Sequence, residues 1–313
     1  MLLGEHAVLH GRRALVCAID QRMTVSLTSL SEPVLKIDSD LGRYESPLDR
    51  LKDHPDFRFV LDAVKQYPQE NGLELKIESD FSSDIGFGSS AAVTVATHAA
   101  LMGNIDDRME LFKRALATVH RVQGRGSGSD VAASVFGGVV AYRAEPLEIQ
   151  RVGSERSICD ARSDSPSVTF PLTAVYSGSK MKTVDVIRHL EERRALNPEY
   201  YEKIFDRMDA SVGEAVEILG GAPAAVPVDG EAAVPPAAFG RILTENQALM
   251  EEMGLCNDAL AEIISILQDL EIPAKISGSG LGDCAIGLGT FPAIGTFKTY
   301  ALNVTTQGAV VSL

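Results

Sequence analysis

The stretch Asp84-Ile85-Gly86-Phe87-Gly88-Ser89-Ser90-Ala91-Ala92 decides how this chain is read. Its glycines allow a backbone with positive φ and a close approach to a ligand. Its serines lead into a run of small residues, Ala91 to Met102, that reads as a helix. The first turn of a helix carries unpaired N–H groups and the positive end of the dipole, and both suit a phosphate. Serine hydroxyls at that point can cap the helix or sit on a phosphate-bound Mg2+. The segment therefore reads as a phosphate cradle, with a capped turn as the plainer alternative. No Gly-Lys-Ser/Thr follows, so it is not the common nucleotide P-loop, and it lacks the glycine spacing and downstream acid of a dinucleotide fold.

Three further clusters carry candidate chemistry. Gly4-Glu5-His6-Ala7-Val8-Leu9-His10-Gly11 sets an acid and a histidine beside an apolar run, which suits either a substrate pocket or a strand-to-turn corner. Without HExxH or a second pair of ligands it does not suggest zinc. Gly124-Arg125-Gly126-Ser127-Gly128-Ser129-Asp130 is a glycine-rich loop ending in a carboxylate. Asp130 can take a proton from a substrate hydroxyl, or it can cap the helix that follows. Lys275-Ile276-Ser277-Gly278-Ser279-Gly280-Leu281-Gly282-Asp283-Cys284 places three alternate glycines between two expected strands, dense for a plain hairpin.

Composition narrows the class. With 313 residues, 45% hydrophobic and 23% charged, the chain suits a globular protein of two domains. A formal net charge of −14 argues against a nucleic-acid partner, although a local cradle can still hold a small phosphorylated ligand. The four cysteines form no CxxC pair and read as reduced thiols. The start MLLGEHAVLHG lacks a basic segment and an apolar core, and no apolar run reaches the length of a span. The expectation is a cytoplasmic protein with no membrane partner.

Residues 23–28 and 73–77 alternate apolar and polar side chains and read as half-buried strands. Helices are expected over Pro55–Tyr67, over 89–102, and after a cap at Asn104 or Asp106. A strand at 139–142 closes the first half. The second half reads as a strand at 168–176, a helix from Thr183, a helix over 199–219, and helices near 240–252 and 257–270. Residues 220–238, rich in Ala, Pro and Gly, read as a loop or insertion. Elements mix without strict alternation, so the fold class is α+β in two domains, 1–165 and 166–313.

Together and in this order, the four clusters resemble the GHMP kinase superfamily. DIGFGSSAA is similar to its phosphate-binding motif PxxxGLGSSAA, KISGSGLGDC to its C-terminal glycine motif, and GEHAVLHG to the mevalonate kinase form of its first motif. The resemblance spans Gly4 to Cys284. It implies an N-terminal α/β domain, a ferredoxin-like C-terminal domain, an active site in the cleft between them, and ATP with Mg2+. By position, Gly86, Phe87, Gly88, Ser89, Ser90 and Ala91 would hold the ATP phosphates, with Ser90 the metal ligand. Asp130 would be the catalytic carboxylate. Glu5, His6, Ser127, Gly128, Lys180 and Thr183 would line the substrate side, and Gly278, Ser279 and Gly280 would close over the reacting groups. A cradle, a metal and one carboxylate suffice for phosphoryl transfer.

The implied activity is transfer of the ATP γ-phosphoryl to a hydroxyl of mevalonate or a close relative. The alternatives are a phosphomevalonate kinase, another GHMP kinase acting on a sugar or hydroxy acid, or a silent ligand-binding homologue. The oligomeric state stays open, a homodimer being one option. Four departures from the family pattern stand out. The usual first-motif lysine would fall before Met1; Val119 and His120 occupy the region of a magnesium-binding glutamate; GRGSGSDVAAS is closer to the phosphomevalonate kinase form; and Asp283 replaces a glycine.

Overall fold

The computed structural model describes residues 1–68, 70–81, 87–124, 126–153, 168–221 and 235–312. Its strands are β1 (Ala14–Cys17), β2 (Met23–Leu30), β3 (Val34–Ser39), β4 (Gly42–Pro47), β5 (Gly72–Ser79), β6 (Val139–Arg143), β7 (Glu148–Arg151), β8 (Pro171–Tyr176), β9 (Ala274–Ser277), β10 (Cys284–Leu288) and β11 (Lys298–Asn303). Its helices are α1 (Arg58–Val64), α2 (Ser89–Met102), α3 (Arg108–Gln123), α4 (Ser129–Phe136), α5 (Thr183–Leu196), α6 (Pro198–Gly221), α7 (Ala237–Glu252) and α8 (Asp258–Asp269).

The chain folds as two units whose segments interleave along the sequence. The inner one takes in the described residues of Gln21–Ser83, Phe87–Phe136 and Gly308–Leu313. The outer one takes in those of Met1–Asp20 and Gly137–Gln307. This grouping differs from a single cut after residue 165, because β1 pairs with β6 and so draws the first twenty residues to the later half.

In the inner unit, alternation builds the sheet. Along β5, Leu73, Leu75 and Ile77 are buried while Glu74, Lys76 and Glu78 face solvent, the period of two that a half-buried strand requires. The strand order is β2-β5-β3-β4, with β3 parallel to β5 and the other pairs antiparallel. Phe57 and the α1 residues Val60, Leu61 and Val64 pack on Leu35, Ile37, Leu73 and Leu75. The helix expected over Pro55–Tyr67 is thus shorter, Arg58–Val64. Helix α2 falls where the small-residue run places it, and Gly103 at φ +71 ends it with an N–H to the Ala99 carbonyl. Asp107, rather than Asn104 or Asp106, caps α3, its carboxylate accepting from the Glu110 N–H at 2.9 Å.

The outer unit holds two sheets, β1-β6-β7 and β11-β8-β10-β9. The second is antiparallel throughout, and counted along the chain from β8 its order is 4-1-3-2, as in a ferredoxin-like sheet. Helices lie between its first two strands, whereas the described segment between β10 and β11 holds none. In α8, Leu260, Ile263, Ile264 and Leu267 form one apolar stripe, and each buried side chain contributes on the order of 2 kcal/mol. They share a core with Tyr201, Ile204, Phe205 and Met208 of α6 and Ile276 of β9. Helix α7 starts at Ala237, and most of the expected 220–238 insertion lies outside the described residues.

Candidate active site

In the inner unit, the start of α2 is an open cradle. Gly88 stands at its N-cap with φ +76, and among the described residues no side-chain cap bond is made there. The Ala92 N–H bonds back to the Gly88 carbonyl at 3.0 Å. The amides of Ser89, Ser90 and Ala91 precede that first intrahelical bond and suit an anion. Ser89 and Ser90 are half-buried and Ala91 is buried. Phe87 leans on Phe81, ring centroids 6.0 Å apart, and Gly86 lies outside the described residues.

Asp130 is the second residue of α4, inside the helix and not its cap. Capping falls to Ser127, whose Oγ accepts from the Ser129 N–H at 3.3 Å and lies 2.9 Å from the Ser129 hydroxyl. Gly128 beside it is buried at φ +85. The Asp130 carboxylate is exposed and has no hydrogen-bond or ion-pair partner among the described residues. A Cβ placed on Gly88 would lie 3.6 Å from Asp130 Cγ and Oδ2. An unengaged carboxylate therefore stands against the cradle backbone.

A polar brace holds α2 from below. Thr118 Oγ1 of α3 accepts from Gln66 Nε2 at 2.7 Å and from the Arg121 guanidinium at 3.2 Å. Its hydroxyl also lies 2.9 Å from His98 Nε2 and meets the Asp62 carboxylate. On its other side His98 Nδ1 pairs with the Tyr67 hydroxyl at 2.9 Å. Burial pushes the His98 pKa down to about 4, helped by Arg114 and Arg121 and opposed by Asp62.

In the outer unit, the first cluster packs against the last. Gly4 sits at φ +87, where a Cβ would fall 2.7 Å from Ala14 Cα. His6 follows at φ +61, a region that side chains other than glycine seldom occupy. Glu5 and His6 are both buried. The Glu5 Oε1 atom accepts from the Lys275 ammonium, which is fully buried and also donates to the Ile276 carbonyl. Burial pushes the Lys275 pKa down while Glu5 pulls it back. His6 donates from Nε2 to the Ser279 carbonyl at 2.8 Å, so its Nδ1 is the acceptor nitrogen. Burial also lowers the His6 pKa, more than that carbonyl and Glu5 raise it, which favours the neutral ring.

Gly278 and Gly280 have φ of +94 and +82, and a Cβ on Gly280 would meet the Leu255 carbonyl at 2.6 Å. The loop's tight path therefore depends on glycine. Around it, Glu5 Oε2 and Ser279 Oγ are buried without a partner among the described residues. Buried polar atoms of this kind are costly unless a ligand or water meets them. Lys180 reaches Asp283 Oδ1 at 3.7 Å, and Thr183 is exposed as the first residue of α5.

No group of three or more His, Cys, Asp or Glu among the described residues could hold a metal alone. Mg2+ needs none, since it binds through one or two carboxylates together with phosphate oxygens. The Ser90 hydroxyl and Asp130 carboxylate, both hard oxygen donors of the inner unit, fit that requirement.

Against known proteins, the domain described as GHMP kinases N terminal matches residues 57–138, and GHMP kinases C terminal matches 235–294. A mevalonate kinase of Archaeoglobus fulgidus is 33% identical over 294 residues, covering 92% of this chain and 89% of that protein. The chain belongs to the GHMP kinases. A GHMP kinase of this kind is an ATP-dependent phosphotransferase acting on an alcohol. The fold agrees. The Methanococcus jannaschii mevalonate kinase structure superposes with a TM-score of 0.75 at 20% identity, covering 97% of this chain and 95% of that one. An L. major mevalonate kinase in complex with R-mevalonate gives 0.72 at 19% identity, covering 98% and 94%.

The GHMP kinase N-terminal match contains both the cradle and Asp130, and the C-terminal match contains Lys275 and the 278–283 loop. Where the family pattern has a glutamate on the preceding helix, Val119 is buried in the core. The next residue, His120, donates from Nε2 to the Gly126 carbonyl at 3.0 Å. Sequence reasoning gave no role to Lys275. Its signal was a charged residue between Ala274 and Ile276, in a strand otherwise apolar up to the loop.

Proposed function

We propose that this GHMP kinase transfers the γ-phosphoryl of Mg-ATP to a hydroxyl of mevalonate. The observation that carries the reading is the Asp130 carboxylate, without a partner among the described residues, set against the Gly88 backbone at the start of α2. The α2 amides and the Ser89 and Ser90 hydroxyls hold phosphate oxygens, lowering their repulsion for an incoming nucleophile. Asp130 accepts the proton of the acceptor hydroxyl as its oxygen bonds to the γ-phosphorus and the bond to the β-phosphate oxygen breaks, releasing ADP. Ser90 and Asp130 would hold Mg2+, which when bound neutralises charge on the phosphates. Glu5 Oε2, His6 Nδ1 and Ser279 Oγ are the acceptor-side groups that still lack a partner among the described residues. The acceptor's second hydroxyl can donate to one of the first two, and its carboxylate can accept from the third.

The mevalonate assignment is supported by the Archaeoglobus fulgidus relative. The reading has the enzyme at work in the cytoplasm, consistent with Cys17, Cys256 and Cys284 forming no disulfide among the described residues. No described helix is long and apolar enough to cross a membrane. The test is coupled ADP release with Mg-ATP and, in turn, mevalonate, 5-phosphomevalonate, homoserine and galactose. Mevalonate should give the highest kcat/KM, and preference for another acceptor would reject the assignment.

A further inference from the structure

The loop after β9 departs from the family at Asp283, where the pattern has glycine. Asp283 occupies φ +60 and Leu281 φ +56, conformations that cost an ordinary side chain about 1 kcal/mol. The backbone here is stitched to the segment that precedes α5. The Asp283 N–H donates to the Ser179 carbonyl at 2.8 Å, and the Ser177 N–H donates to the Asp283 carbonyl at 2.9 Å. Between them, a Cβ on Gly282 would sit 2.9 Å from the Ser179 carbonyl and 3.2 Å from Lys180 Cα. The backbone of Lys180 is thereby held in register with Asp283.

The side chains complete the arrangement. Asp283 is buried, with only 12% of its side chain exposed, and its Oδ1 makes no hydrogen bond. Lys180 Nζ approaches that oxygen to 3.7 Å, too long for a hydrogen bond but within ion-pair reach. Burial pushes the Asp283 carboxyl upward, and Lys180 pulls it back in part. Lys180 itself is 43% exposed, which leaves its ammonium open to a second anion. The same loop contains Ser279, whose carbonyl holds His6.

Resting on the proposed function, we infer that Asp283 is a positioning residue that aims the Lys180 ammonium at the carboxylate of the acceptor. The pair is then a specificity determinant built on Asp283. The acceptor's anion takes the open side of the ammonium while Asp283 holds the other. Loss of either member weakens acceptor binding without touching nucleotide binding.

The experiment is steady-state kinetics of the full chain with Mg-ATP. It compares wild type with Asp283→Asn, Asp283→Gly, Lys180→Met, Lys180→Arg and the Asp283→Asn/Lys180→Met double variant, each checked for its thermal midpoint. Asp283→Gly also removes the positive-φ cost, so it keeps the test available should Asp283→Asn fold poorly. Asp283→Asn, Asp283→Gly and Lys180→Met should each raise the acceptor KM about tenfold, as expected for one charge-assisted contact, with kcat and the ATP KM within twofold. Lys180→Arg should retain most of the affinity. The double variant should match Lys180→Met alone, because Asp283 acts through that lysine. Unchanged acceptor KM in folded variants, or single effects that multiply in the double, would overturn the inference.

Wild-type turnover with mevalonate tests the functional reading separately. If 5-phosphomevalonate or homoserine is used instead, that reading fails and the pair is scored on the anionic acceptor found. Turnover with galactose alone, or with none of the four, overturns both.

Discussion

Acid should loosen the inner unit through one residue, His98. An ordinary imidazole titrates near 6.5, whereas His98 is held to about 4, because its ring is buried with both nitrogens engaged by Thr118 and Tyr67. Protonation would place a positive charge on a buried ring near the Arg114 and Arg121 guanidiniums. As pH falls below 6.5 the unfolded chain takes up this proton and the folded chain does not, so stability present above that pH is lost. The loss continues to about pH 4, where the folded ring also titrates and the contribution levels off. The gap of about 2.5 pH units corresponds to about 3 kcal/mol. His6 and His10 are also held low by burial, so a bulk pH–stability curve mixes several sites. Proton NMR of the imidazole Cε1 resonances separates them, with His98→Gln identifying the signal. A midpoint near 4 is expected, together with a wild-type advantage over His98→Gln in urea that shrinks by about 2–3 kcal/mol from pH 7 to pH 4.5. A midpoint between 6 and 7, or a pH-independent advantage, would refute the argument.

Asp130→Asn keeps the side chain's shape but cannot accept the hydroxyl proton, so kcat should fall about 10²–10⁴-fold with ATP affinity nearly unchanged; preserved turnover would remove Asp130 from the chemistry. Ser90→Ala should raise the Mg2+ concentration needed for half-maximal rate, and an unchanged metal titration would take Ser90 out of the metal's reach. Lys275→Met leaves Glu5 buried and unpaired, which should cost about 3–5 kcal/mol in denaturant unfolding, while Lys275→Met/Glu5→Gln should recover much of it. Gly4→Ala would force a Cβ to 2.7 Å from Ala14 Cα at φ +87, and a loss of about 3 kcal/mol or more is expected from the clash and strain.

The parts of this kinase legible in its sequence are those whose physical demand falls on single positions. A left-handed turn or a close backbone approach demands glycine where it occurs, and Gly4, Gly88, Gly278 and Gly280 all meet such a demand. Helix α2 is legible for a similar local reason: small residues from Ala91 on, a glycine before and Gly103 after. The β3–β4 hairpin and β1 were not foreseen. Their apolar runs are short, and Asp40-Leu41 between β3 and β4 carries no strong turn signal. The edge strand β11 buries only Leu302 fully along its length, which leaves almost no pattern to read.

What sequence cannot show is a demand shared by two distant positions. Glu5 and Lys275 lie 270 residues apart; neither names the other as its partner in the sequence, and only the fold turns them into a buried pair. Asp130 shows the converse. Its local context favoured a cap over a base, yet Ser127, two positions before Ser129, takes the capping bond and leaves Asp130 inside the helix. The brace on His98 adds a third kind of dependence. His98 lies nine residues beyond Ser89, so about 13 Å of rigid helix separates the buried hydrogen bonds from the amides that meet phosphate. A helix anchored so firmly at that depth can leave its first turn uncapped, because tertiary packing rather than a cap holds it in place. The open cradle and the buried histidine are two ends of one structural solution.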